Sequence, residues 1–222
     1  MNQFKTKTKL LILPAIMCLL FWVFVAAKPS EEIATAKKSE LVELITLDST
    51  FKLDIRYATS NNFIGRPVYS EARAFLQRPA AEALVKVNRD LKALGYGLLI
   101  FDGYRPWSVT KLFWDKTPNA SRKFVANPKF GSHHNRGCAV DLSMYNIATG
   151  KEVEMPGKYD EMSVRSHAGY QGGTKEQRRL RDLLRSKMQA RGFIASAIEW
   201  WHFDYKDWSR YEIQDIPFSE IK

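Results

Sequence analysis

The stretch Ser132-His133-His134-Asn135-Arg136-Gly137-Cys138-Ala139-Val140-Asp141-Leu142 constrains this chain more than any other, because it sets an imidazole, His134, and a carboxylate, Asp141, seven residues apart around a glycine. Far downstream, Glu199-Trp200-Trp201-His202 adds a second imidazole with a carboxylate three residues before it, in a run otherwise apolar and aromatic. Catalytic Zn²⁺ sites characteristically take three protein ligands and leave the fourth position to water. On that pattern His134, Asp141 and His202 hold one Zn²⁺ per chain. The ion lowers the pKa of its water from about 15.7 towards roughly 7, and a carboxylate outside the ligand set, Glu199, takes the proton.

The same residues have a plainer reading. Gly137 followed by Ala-Val-Asp-Leu fits a turn entering a strand, and His202 fits a core histidine bonded to backbone. An H-x₆-D spacing is a weak pattern alone. Context strengthens the pair, since both motifs fall in strand-like apolar surroundings and the chain has only four histidines, at 133, 134, 167 and 202. Spacing leaves both readings open. His167 is an alternative ligand, but its Ser-His-Ala-Gly surroundings predict a flexible polar loop, shared with Asp160 and Arg165.

The pattern S-x-H-x-x-G-x-A-x-D followed by E-W-W-H resembles the VanX-type D-alanyl-D-alanine dipeptidases. Asp102-Gly103-Tyr104-Arg105-Pro106 and Asp54-Ile55-Arg56-Tyr57-Ala58-Thr59 resemble that family too, and the likeness runs in order from about Leu47 to Trp208. The resemblance implies a zinc peptidase that hydrolyses the dipeptide D-Ala-D-Ala. By position it implies His134, Asp141 and His202 as metal ligands, Glu199 as catalytic base, Arg105 as the cation that stabilises charge on the reacting substrate, and Ser132 as a substrate contact. His133 and Cys138 stand where small residues, often serine, are expected. That departure bears on the pocket entrance and substrate range rather than on the metal.

Length and composition agree with one catalytic domain, since 222 residues with 45% apolar side chains can bury one sizeable core and do not require two. The first 27 residues read separately. Lys5, Lys7 and Lys9 precede an apolar run from Leu10 that ends Val25-Ala26-Ala27, the layout of a secretory signal peptide cleaved after Ala27. An uncleaved anchor is the alternative, because an 18-residue run reaches the lower limit for a bilayer span. Export, to the periplasm, leaves Cys138 as the single cysteine and excludes an intramolecular disulfide. Losing three lysines takes the net charge from +10 to +7. A basic exported protein points to weak association with anionic envelope polymers rather than to nucleic acid, and a solvated basic face explains the charge more simply.

Residues 28–40 predict a flexible leader, with the catalytic domain over 41–222. Val42–Ile45 and Phe51–Tyr57 alternate as half-buried strands do. Pro79–Leu94 predicts a helix with Leu84, Val87, Leu91 and Leu94 on its buried face, and Leu98–Phe101 a buried strand that delivers Arg105 at its end. Pro106 opens a short helix that stops before Pro118. A capping box at Thr174 starts a helix to Arg191, with its arginines on the wet face. Phe193–Tyr205 predicts one ligand-bearing strand. Residues three apart in a strand face opposite ways, so it must be irregular at Trp200-Trp201 if Glu199 and His202 share a site. Few strong strands, two amphipathic helices and no βαβ alternation give an α+β fold on a mainly antiparallel sheet flanked by helices. Two rival functions remain: a zinc D,D-carboxypeptidase acting on peptidoglycan stem peptides, and a non-catalytic zinc-stabilised binding protein.

Overall fold

A computed structural model describes Met1 and residues 36–222 of the chain. The signal peptide expected over 1–27 lies outside the described residues, as does most of the leader. In the leader's last part, Lys37 N donates to Arg210 O (2.8 Å) and the Gln77 side chain bonds both Ser39 and Glu40.

The domain is α+β. A five-stranded sheet has the order β2-β4-β5-β7-β6, from Lys52–Leu53 (β2), Tyr96–Asp102 (β4), Ala139–Asn146 (β5), His202–Tyr205 (β7) and Phe193–Ala195 (β6). Only the β2–β4 pair is parallel. A separate antiparallel pair joins Leu41–Glu43 (β1) to Phe75–Gln77 (β3). The helices are Leu44–Leu47 (α1), Arg78–Lys92 (α2), Trp107–Lys116 (α3) and Lys175–Gln189 (α4). Among the described residues no helix is long and apolar enough to cross a membrane.

Helix α2 starts as its sequence dictates, with Pro79 in the first turn where an N–H has no helical partner. It buries Leu84, Val87 and Leu91 against β4 and α4. Each such side chain contributes about 1.5–3 kcal/mol by leaving water. Leu94 falls beyond the helix and is exposed, so the expected stripe is one residue too long. Helix α4 carries the expected capping box, Thr174 with Gln177, and buries Leu180, Leu184 and Met188. One of its arginines departs from the wet-face expectation: Arg181 is buried and donates to the Tyr170 carbonyl at 2.6 Å.

Two predicted strands are shorter than their periodicity suggested. Val42–Ile45 bends into α1 after Glu43, and Phe51–Tyr57 keeps two residues in the sheet before a 3₁₀ turn at Arg56–Ala58. The expected single strand Phe193–Tyr205 is a hairpin, β6 and β7, joined by residues 196–201. The expected irregularity is therefore a chain reversal, and Glu199 leaves the sheet altogether.

Register sets up the site. Asp141 stands opposite His202 across the β5–β7 ladder. On the other side the β4–β5 register shifts between Ile100 and Asp102, so Asp102 stands opposite Asp141. Without that extra residue Val140 would take the place, since Ile100 pairs with Leu142. Three polar residues thus form one row across three adjacent strands whose other members are mostly apolar and buried.

Candidate active site

The ligand-bearing turn is built by local chemistry. Ser132 Oγ accepts from His134 N (3.2 Å), and Asn135 Oδ1 accepts from Ser132 N (2.7 Å), a capping box over the 3₁₀ turn His133–Arg136. Gly137 ends the turn at φ 67°, a left-handed conformation that a side chain disfavours, and a Cβ there would also run into Leu41. The buried Asn135 amide donates to Arg105 O and Thr110 Oγ1, both at 2.8 Å, which pins this turn to the end of β4.

His134, Asp141 and His202 meet. His134 Nε2 lies 3.2 Å from His202 Nδ1 and 3.4 Å from Asp141 Oδ1, and His202 Nδ1 lies 3.0 Å from the same oxygen. The outer nitrogens decide what these atoms are. His134 Nδ1 is 2.7 Å from the Gly103 carbonyl, which can only accept, so that nitrogen carries the proton and Nε2 a lone pair. His202 Nε2 is 3.0 Å from the Asp204 carboxylate, so its Nδ1 likewise offers a lone pair. Two lone pairs and a carboxylate oxygen facing one another repel unless a cation or proton lies between them. Tetrahedral Zn²⁺ with bonds of roughly 2.0–2.1 Å separates its ligand atoms by roughly 3.3–3.4 Å. The three edges fit that ion, and the outer hydrogen bonds are those that metal-bound imidazoles characteristically make. Among the described residues this is the one cluster of three or more such donors. His167 is elsewhere, and Cys138 is fully buried, its thiol pushed up to about 12 by burial, outside the set.

Burial opposes ionisation of Asp141, but positive charge between it and the two imidazoles, a shared proton or a bound cation, outweighs burial and holds the carboxyl below its usual range. Its second oxygen accepts from Tyr159 OH at 3.2 Å. Arg105 is buried beside it. Burial works against the guanidinium charge, yet Asp102 prevails by accepting from Nε (3.0 Å) and Nη2 (2.7 Å), so the side chain stays a cation. Arg105 Cζ lies over the Phe113 ring, 4.9 Å from its centroid, Arg105 Nη2 stands 3.8 Å from Asp141, and Nη1 has no hydrogen-bond partner among the described residues. Gly103 admits this close packing, because a Cβ there would lie 2.6 Å from the Phe75 carbonyl.

A cavity of about 320 Å³ opens over this floor. Arg105, Ser132, His134, Asp141, Glu199 and His202 all line it, so the six residues of the expected site share one space, and the alternative ligand His167 does not line it. Glu199 comes from the hairpin loop, and burial raises its pKa above the ordinary glutamate value.

Four polar residues at the site were not singled out in the sequence. Asp102 sat unassigned in the motif that supplied Arg105. Tyr159 lay in a stretch with no periodicity. Asp204 follows His202 by two residues, a spacing that puts both on one face of a strand and could have been noticed. The sequence places Asp160 in a polar loop. It lines the cavity instead, accepts from Tyr57 OH (2.8 Å), and adopts φ 57°, the sole positive φ at a non-glycine among the described residues. Burial raises its pKa to about 7, with the Tyr57 hydrogen bond pulling the other way.

Comparison with known proteins bears on the same domain. The peptidase M15 family, described as D-ala-D-ala dipeptidase, matches residues 37–220. The D-alanyl-D-alanine dipeptidase of Escherichia coli (strain K12) is 32% identical over 181 residues, 82% of this chain and 92% of that protein. Those of Enterococcus faecium and Streptomyces coelicolor are 36% and 34% identical, over 69% and 72% of this chain and 85% and 89% of their own. Since the match takes in both ligand-bearing motifs and nearly all of the described domain, this chain belongs to the peptidase M15 family of D-Ala-D-Ala dipeptidases.

Proposed function

We propose that this chain hydrolyses D-Ala-D-Ala to free D-Ala, with one Zn²⁺ held by His134, Asp141 and His202. The observation that carries the proposal is the triangle of two imidazole lone pairs and a carboxylate oxygen, 3.0–3.4 Å on its edges, in a cavity shared with Glu199 and Arg105. When bound, Zn²⁺ supplies Lewis acidity, polarising a carbonyl and bringing the pKa of a water down to roughly 7.

The protein groups divide the remaining work. Glu199 accepts the proton of the attacking water and passes it to the leaving amine nitrogen, and its raised pKa suits both transfers. Arg105 stabilises the oxyanion that forms at the scissile carbonyl, held ready by Asp102. Asp160 and Tyr57 OH receive the free ammonium of the dipeptide, and Ser132, which lines the same cavity, offers its hydroxyl.

Asp160 also ranks the rivals. A D,D-carboxypeptidase substrate carries an acylated nitrogen and would leave this carboxylate without a cation. A binding protein would need neither Glu199 nor Arg105 near its metal. Release of D-Ala from D-Ala-D-Ala and from N-acetyl-D-Ala-D-Ala, with zinc assayed on the same sample, tests the reading. Hydrolysis of the free dipeptide alone with one zinc per chain supports it; cleavage of the acetylated form turns it to the carboxypeptidase; bound zinc without cleavage turns it to the binding protein.

The domain plan of 1–27, 28–40 and 41–222 belongs to the proposal as well. Cleavage after Ala27 places the enzyme in the periplasm, where it recovers D-Ala from released wall dipeptide, its net charge giving weak adhesion to anionic envelope polymers. The signal-like residues 1–27 support export. Fractionation with N-terminal sequencing of the mature chain tests it, Lys28 at the N-terminus of a periplasmic protein being the expected result.

A further inference from the structure

We propose that Asp204 and His133 are positioning residues for the ligand His202, one bracing the other. Asp204 lies two residues after His202 on β7, so the strand's alternation puts the two side chains on one face, with Asp204 Oδ1 3.0 Å from His202 Nε2. The same oxygen lies 2.8 Å from His133 Nδ1. His133 in turn stacks on Trp208, centroids 3.8 Å apart and planes inclined by 21°. His133 immediately precedes the ligand His134 in the 3₁₀ turn. The turn that supplies one ligand therefore also sends a brace to the other, and the two imidazoles are joined by a path, His134-His133-Asp204-His202, that does not pass through the metal position.

The two ligands are supported unequally. His134 donates to a neutral carbonyl, that of Gly103, whereas His202 donates to a carboxylate. A carboxylate partner fixes the tautomer more firmly and makes the imidazole a better donor to a metal. His202 comes from a four-residue strand beside the hairpin loop and is the more exposed of the two. The stronger brace is on the ligand that needs it. His133, expected to affect the pocket entrance and not the metal, is thereby tied to the metal site through Asp204, while it also lines the cavity.

The inference rests on the metal reading above, and its test is zinc affinity, measured on the mature chain by competition with a chromophoric chelator, with near-UV circular dichroism reporting the fold. Asp204→Ala is expected to weaken zinc binding about 10–100-fold. His133→Ala is expected to lose a smaller factor, and the double variant to match Asp204→Ala alone, because His133 acts only through Asp204. Asp204→Asn keeps the shape without the charge and carries the same comparison if the alanine variant does not fold. Wild-type affinity in either folded Asp204 variant overturns the proposal. Losses that multiply in the double variant overturn the brace by His133. A wild-type chain that takes up no zinc overturns the metal reading itself and this inference with it.

Discussion

The site has two halves made in different ways. Its floor, Asp102, Asp141 and His202, is a single row of register partners across β4, β5 and β7, with His134 pinned to it by Asn135 and Gly103. Its walls, Glu199, Asp160 and Ser132, come from loops. Backbone ladders hold the floor whether or not a ligand is bound, whereas the walls depend on local caps and single hydrogen bonds. On the proposed reading, metal retention falls to the sheet and proton transfer and substrate selection fall to the loops, so changes in the two halves are expected to separate in their effects.

The largest effect tests the floor. Asp141→Ala removes one ligand and the anion between two lone pairs, so zinc content is expected to fall from one ion per chain to a trace and hydrolysis to vanish with it. Metal analysis alongside the D-Ala assay checks this, and full zinc occupancy would break the comparison at its base. Glu199→Ala is expected to keep full zinc and lose about a thousandfold in kcat; retained turnover would remove the base from the wall. Arg105→Lys keeps the charge but gives up the fork that binds Asp102, and roughly a hundredfold loss in kcat with zinc unchanged is expected. Zinc lost along with kcat would move Arg105 from chemistry to structure.

The smallest effect sharpens the wall. Asp160→Asn is expected to raise KM for D-Ala-D-Ala about tenfold, the size of a charge-assisted hydrogen bond, with kcat within a few-fold of the wild type. Asp160 binds an ammonium only when ionised. With its pKa raised to about 7, wild-type KM rises as pH falls below that value, and in the variant that rise is absent. Stability moves oppositely. A carboxyl whose folded pKa lies above its unfolded value favours the fold at low pH and loses that contribution as pH rises through about 7. The metal-free Asp160→Asn variant is therefore expected to melt higher than the wild type at pH 8 and alike at pH 4. A KM indifferent to the substitution would leave Asp160 a structural residue.

What could be read from the sequence follows the same division. That His134, Asp141 and His202 meet beside Glu199 was anticipated from their residue types, but spacing alone left an ordinary turn and a core histidine open, and the resemblance to a family singled them out together with Arg105 and Ser132. Helices α2 and α4 were legible from apolar spacing and from caps at Pro79 and Thr174. Strand lengths were not, since alternation at Phe51–Tyr57 continues past the point where pairing partners end. The hairpin at 196–201 escaped because apolar, aromatic residues fill its loop as well as its strands. Asp160 escaped because nothing local distinguishes a loop carboxylate that packs under a tyrosine 103 positions away from one in water. Asp102 required the register shift in β4, which is a property of the pairing and not of either strand alone.

That pairing also orders events in time. Asp141 and His202 become neighbours only when β5 and β7 pair, closing a loop of 61 positions, and His134 joins only after its turn docks on Gly103. Such non-local closures come late in folding, because chain entropy opposes them until other contacts are made. On the proposed zinc reading, the ion would find no assembled site before then, and its stabilisation is expected to appear in the unfolding rate rather than in the folding rate.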